Sequence, residues 1–155
     1  LDLLGRKVIL QSKGKIIRDY TSGIMKWCGD YALDKNMRKF VWSLTKLCAE
    51  WNTLTVRLML SARKDREIIS AASVDYLMYS GYVMMAYHWA RMAAVAYDKL
   101  ENGGVEAPEF YKAKIQTAEF YFDKILPRTS GHAESMVAPS SSMTDMDIEH
   151  FAFLD

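Results

Sequence analysis

A chain of 155 residues, half of them apolar and a quarter charged, suffices for one domain that buries about two-thirds of its unfolded surface. Twenty basic residues against nineteen acidic ones leave a net charge of +1, which excludes a global field drawing the chain to nucleic acid or an anionic membrane. Its two cysteines, Cys28 and Cys48, have no paired spacing, so a disulfide framework is not expected and a reduced, cytoplasmic setting is. The opening residues do not read as a signal peptide.

Taken in order, "LDLLGRKVIL" places Leu1, Leu4 and Val8 on one helical face with no N-cap ahead of Leu1. It reads as the continuation of a helix begun earlier, and the chain as a piece of something longer. Gly14 then marks a turn after "QSKG". The helix that follows is expected to turn Ile16, Ile17, Tyr20, Ile24, Trp27, Cys28 and Tyr31 inward, with Asp19, Ser22, Lys26 and Asp30 outside. From Met37 to Ala62 apolar residues recur at Phe40, Leu44, Leu47, Trp51, Leu54 and Leu58, a long amphipathic helix with Asp34 as its expected N-cap.

The stretch "DYLMYSGYVMMAYHWARMAAVAY", Asp75 to Tyr97, carries no formal charge between Tyr76 and Ala90. Those fifteen residues fall short of the roughly twenty that cross a bilayer. They are instead expected inside a helix from about Ile69 to Glu101, covered on several sides, with alanines permitting close approach and tyrosines filling gaps. Asn102 and Gly103 should cap its end. A fourth helix starts near Pro108, turns Tyr111, Ile115, Ala118, Phe122, Ile125 and Thr129 inward, and should kink or break at Pro127. "APSSSMTDMD" reads as a loop, with Ser142 or Thr144 capping a last short turn and Phe151, Phe153 and Leu154 packing back on the body. The expected fold is therefore all-α: an antiparallel bundle of about four long helices with short helical pieces at the termini.

Charge is unevenly spread. Five basic groups stand against Asp2 alone in the first eighteen residues, and five acidic groups with no Lys or Arg follow Gly131. Either both surfaces are simply solvated or the acidic tail docks on a basic surface.

Chemistry-bearing residues are sparse. His88, His132 and His150 are scattered, and no glutamate is followed three residues later by a histidine, so no metal ligands are assigned. Cys28 and Cys48 fall on apolar helix faces as structural thiols, and neither a nucleophile elbow nor a glycine-rich phosphate loop occurs. Asp75 is the lone acid of an apolar helix. It is either a functional acid or base, or a carboxylate satisfied by a tyrosine hydroxyl, an arginine or a backbone N–H. His88 and Arg91 are open to pairing across helices or subunits, and His132 to being a hydrogen-bonded core histidine or a ligand.

Three blocks in order, "LDLLGRKVIL", "AASVDYLMYSGYVMMAYHWARMAAVAY" and "KAKIQTAEFYFDKILPRTSGHAESM", resemble the C-terminal end of acyl-CoA dehydrogenases. The similarity is greatest to the larger bacterial branch with an extra helical domain, which includes 3-methylmercaptopropionyl-CoA dehydrogenases. The resemblance implies FAD, an acyl-CoA substrate and formation of an α,β double bond in the parent enzyme. It also implies that the catalytic glutamate, in a Glu-Gly-Thr segment, lies upstream of Leu1. No catalytic, cofactor-binding or metal-binding residue is then carried by this chain; Arg6 is the nearest polar group and is given no role. The implied organisation is the end of the core helical domain over 1–13, a bundle domain over 14–137, and a loop with a short helix over 138–155. The implied assembly is a dimer, because such an extension occupies space where a tetramer would otherwise form. The other readings are a free-standing helical module that binds a partner through its aromatic surface, and a small helical enzyme using Asp75.

Overall fold

A computed structural model describes residues 1–151. The expected return of the Phe151, Phe153 and Leu154 side chains to the body lies outside what is described. A π-helical segment, Asp2–Gln11, opens the chain. It is followed by α1 (Lys15–Asp30), α2 (Arg38–Ser61), α3 (Glu67–Asn102), α4 (Pro108–Phe120), α5 (Thr129–Met136) and α6 (Ser141–Thr144). The described residues include no strand, and the fold is an all-α bundle.

Between the first segment and α1 the backbone turns sharply. Lys13 and Gly14 both take positive φ, 47° and 78°. A side chain at Gly14 would be strained there, and its Cβ would meet Met59 Sδ at 3.2 Å. The wide i→i+5 pattern persists to this turn, where the Ser12 N–H donates to the Lys7 carbonyl at 3.1 Å. Leu4 and Val8 are thereby carried into the core.

α3 is the axis of the molecule. α2, α4, α5 and the N-terminal segment all pack on it, while α1 packs chiefly on α2. Its alanines at 86, 90 and 93 are fully buried and give neighbouring helices close approach, and Tyr76 and Tyr79 fill the wider gaps toward α2. From α2, Phe40, Leu44, Trp51 and Leu58 complete the core, and the Phe40 ring meets Phe122 edge-on at 4.8 Å.

Pro127 acts as expected, with a longer approach than a simple break. α4 ends at Phe120, widens into a π-helical turn over Tyr121–Ile125, and tightens into a 3₁₀ turn over Leu126–Arg128 before α5 begins. Proline lacks the N–H that a regular helix would donate, and its ring needs room at the preceding turn, so the helix redistributes its hydrogen bonds. Phe122, Leu126 and Thr129 stay buried through the change of pitch.

Four local expectations are corrected. Ile16 is 49% exposed, and Thr21 takes its place inside because its hydroxyl is satisfied by the Ile17 carbonyl at 2.9 Å. Asp34 accepts from the Asn36 N–H at 2.8 Å and so closes a turn, and α2 begins only at Arg38. The expected loop "APSSSMTDMD" contains α6, so Ser142 and Thr144 lie within that helix rather than capping the last turn, Ile148–Phe151, and the Ser140 hydroxyl ahead of α6 bonds Asp65 just before α3. Finally, α3 is not covered all round: Val74, Leu77 and Val95 stand on a bare face, 70%, 56% and 57% exposed.

Packing sorts the tryptophans. Trp51→Ala should cost about 3–5 kcal/mol of stability, since Trp51 is buried. Trp42→Ala, at a position 74% exposed, should change stability by less than about 0.5 kcal/mol. Urea unfolding of the two variants checks the contrast.

Candidate functional site

Asp75 sits on the third turn of α3, and α5 lies across it. His132 and Ser135, three residues apart and so on one face of α5, both reach its carboxylate. His132 Nδ1 is 2.7 Å from Asp75 Oδ1, and the Ser135 hydroxyl donates to Oδ2 at 2.8 Å. Two turns further along α3, Tyr82 stacks on the imidazole with ring centroids 5.6 Å apart. A tyrosine, an arginine or a backbone N–H was the expected partner of Asp75; the actual partners come from another helix.

An aspartate at Nδ1 orients an imidazole, as in hydrolytic triads, but the order needed for nucleophilic catalysis is absent here. Ser135 spends its proton on the carboxylate rather than on the imidazole, so no base activates it. The cluster ties α5 to α3, and Asp75 and His132 are each about three-quarters buried by it.

Several other polar groups of the core are similarly occupied. The Thr55 hydroxyl donates to the Trp51 carbonyl at 2.8 Å and accepts from Tyr76 at 2.7 Å. Tyr79 donates to Glu50 Oε2 at 2.8 Å. Burial first, and the Glu50 carboxylate second, push the Tyr79 hydroxyl far up from its ordinary value. Asn52 joins α2 to α1 by donating to Thr21 at 2.8 Å. Cys28 and Cys48 are buried, and burial pushes the Cys48 thiol up to about 12, which leaves it unreactive.

His88 and Arg91 lie at the far end of α3, away from Asp75. They line an open groove of about 630 Å³ walled by Trp27 of α1, by Tyr31 directly after it, and by Phe110, Tyr111 and Lys114 of α4. Arg91 lies 5.6 Å from the Tyr87 ring centre and Lys114 5.2 Å from that of Phe110. No carboxylate lines the groove, and among the described residues neither cation is in an ion pair. Among the described residues, the two buried side-chain polar atoms that lack a partner, Trp51 Nε1 and Asn52 Oδ1, belong to α2 and not to this groove. No glycine lines the groove, so it offers a flavin no glycine-rich loop of the kind that cradles a pyrophosphate. No group of three potential metal ligands occurs among the described residues. Nor is any described helix long and apolar enough to cross a membrane.

Such an arrangement defines a helical bundle in which Asn52, Tyr76, Tyr79 and Asp75 join helix to helix. Residues 19–147 match the family described as acetyl-CoA dehydrogenase C-terminal like, and the chain belongs to that family. It is thus a C-terminal portion of an acyl-CoA dehydrogenase type of protein. No curated protein matches the chain.

The Asp75–His132 contact is open to a double-mutant cycle. Asp75→Ala should cost about 1–3 kcal/mol, because it leaves the largely buried His132 imidazole without its partner. Combining it with His132→Ala should show a coupling of at least about 0.5 kcal/mol by denaturant unfolding.

The raised Cys48 and Tyr79 values predict alkaline loss of stability. Both groups hold their protons more tightly folded than unfolded. The Cys48 contribution is complete below the unfolded thiol's 9.0 and is lost as pH rises through about 12, and that of Tyr79 is complete below the unfolded hydroxyl's 10.0 and declines as pH rises above it. The urea midpoint should fall from pH 8 to pH 11, and less steeply in Cys48→Ala.

Proposed function

We propose that this chain is the non-catalytic C-terminal helical portion of an FAD-dependent acyl-CoA dehydrogenase of the larger bacterial branch, where it braces the catalytic core and contributes to the contact between the subunits of a dimer. The observation that carries the reading is the family match over residues 19–147, on a bundle whose helices are joined by polar contacts of Tyr76, Tyr79 and Asp75. Residues 1–13 would end the core helical domain, 14–137 form the bundle, and 138–155 an appended loop and turn. The setting is cytoplasmic, and no residue of this chain touches the reacting atoms.

In the parent, a bound flavin would supply hydride acceptance for the β-hydrogen of an acyl-CoA thioester, and a glutamate upstream of Leu1 would remove the α-proton. Such a base works only when held within hydrogen-bond reach of the proton, and tolerances of about half an ångström depend on the packing behind it. The contribution of this chain is that packing. The N-terminal segment, in sequence the nearest part to the reaction, is gripped by the bundle through Leu4 and Val8, so displacement of α3 would be felt there.

A second reading, a helical module that binds another protein, is favoured by the bare face of α3. The gene decides between them: the dehydrogenase reading requires several hundred residues upstream of Leu1, with a Glu-Gly-Thr segment close to it. The direct test truncates the full enzyme just before Gly14. Flavin content, turnover and dimerisation should all fall; normal values for all three would overturn the bracing role.

A further inference from the structure

The chain has three asparagines, Asn36, Asn52 and Asn102, and only the last precedes a glycine. An asparagine can close on itself: the backbone nitrogen of the next residue attacks its side-chain carbonyl carbon and forms a five-membered ring. A glycine in second place favours that attack, because it has no Cβ to crowd the nitrogen and reaches backbone conformations closed to other residues. Whether a folded protein permits the step depends on what else the attacking nitrogen is doing.

The structure separates the three sites on that point. The nitrogen after Asn36 belongs to Met37, which is buried and donates to the Asp34 carbonyl at 3.2 Å. The nitrogen after Asn52 belongs to Thr53, inside α2, where it is one rung of the helical ladder. Asn102 is instead the last residue of α3, and the Gly103 N–H has no acceptor among the described residues. Gly103 takes a φ of 87°, and a Cβ there would meet nothing within 4 Å. Asn102 and Gly103 are both exposed, so water reaches the ring-closing atoms.

The turn that follows has little slack. Gly104 lies against Tyr111, where an added Cβ would collide with the phenol, and the Glu106 N–H donates to the Tyr111 hydroxyl at 3.2 Å. One helical turn back, Asp98 Oδ1 accepts from the Asn102 side-chain amide at 2.8 Å. A carboxylate at position 102 would lose that bond, face Asp98 across one turn beside Glu101, and stand at the negative end of the helix dipole.

We propose that Asn102–Gly103 is a site of spontaneous deamidation in the folded protein, and that its product loosens the turn between α3 and α4. Hydroxide takes the Gly103 amide proton and the nitrogen bonds to Asn102 Cγ. The side-chain nitrogen then takes a proton from water and leaves as ammonia. Water opens the resulting succinimide at either carbonyl, giving aspartate or isoaspartate with no change of oxidation state. In the isoaspartate the main chain gains one methylene immediately ahead of the contact between Gly104 and Tyr111. The inference is independent of the dehydrogenase reading.

The test ages the full-length protein in mildly alkaline buffer and maps each asparagine by peptide mass spectrometry, with methylation by an isoaspartyl methyltransferase as a second readout. Conversion at Asn102 should run at least about tenfold faster than at Asn36 or Asn52, and within about tenfold of its own rate in the urea-unfolded chain, because a helix end frays at little cost. Hydrogen exchange over residues 103–107 should quicken at least about twofold in the aged protein. Asn102→Gln, whose extra methylene disfavours ring closure, should show neither change after the same ageing and should keep its helix content and melting.

An Asn102 that stays unconverted in the folded protein would overturn the proposal, since α3 would then be holding the site shut. Equal conversion at the three asparagines would do the same. So would ageing that converts Asn102 yet leaves exchange over 103–107 unchanged, or that quickens exchange equally in Asn102→Gln.

Discussion

Two tyrosine hydroxyls, on Tyr76 and Tyr79, are buried completely at the junction of α2 and α3. An unpaired hydroxyl there costs about 1–3 kcal/mol, so the register of α2 against α3 must bring a partner to each. Thr55 meets one and Glu50 the other. Sliding or rotating α2 by one residue would break both bonds together, and would also move Trp51 away from the Tyr79 ring, 6.3 Å distant. Apolar packing alone tolerates many near-equivalent arrangements; these two bonds select one.

With that junction fixed, the remaining helices have few choices. α1 is joined to α2 through Asn52 and Thr21. α4 runs back along α3 over alanines, and the change of pitch before Pro127 aims α5 across the start of α3, where Asp75 receives His132 and Ser135. The Tyr121 hydroxyl donates to the Tyr82 carbonyl at 3.0 Å and secures the bend. One side of α3 is thereby closed and the opposite side left bare. A domain of this kind acts through surfaces: its interior is committed to shape, and its effect on any reaction passes through what it touches.

Much of this was legible in the sequence because helical periodicity survives burial. The inward residues of α2 and α4 read directly from spacing, and the bounds of α3 were off by one or two residues at each end. Gly14, Gly103 and Pro127 marked their boundaries for steric reasons that need no tertiary information. The pairing of Asp75 with His132, by contrast, spans fifty-seven residues and depends on the angle at which α5 crosses α3, which no local pattern encodes. Thr21 and Thr55 were missed because a threonine looks polar in sequence yet can satisfy its hydroxyl on its own helix and be buried. The bare face of α3 was misread for a related reason. Methionine and valine look alike to a periodicity argument whether they face a core or a partner, and Met84 and Met85 adjoin Val83 and Ala86, which face inward.

The central claim is that the bundle closes on one face of α3 and leaves the opposite face, with Met84 and Met85, outside the core. Methionine oxidation of the folded chain, read residue by residue, addresses it most directly. Met37 and Met136, fully buried, should resist, whereas Met84, Met85 and Met143, all exposed, should react. Oxidation of Met37 and Met136 as fast as that of Met84 and Met85 would contradict the account.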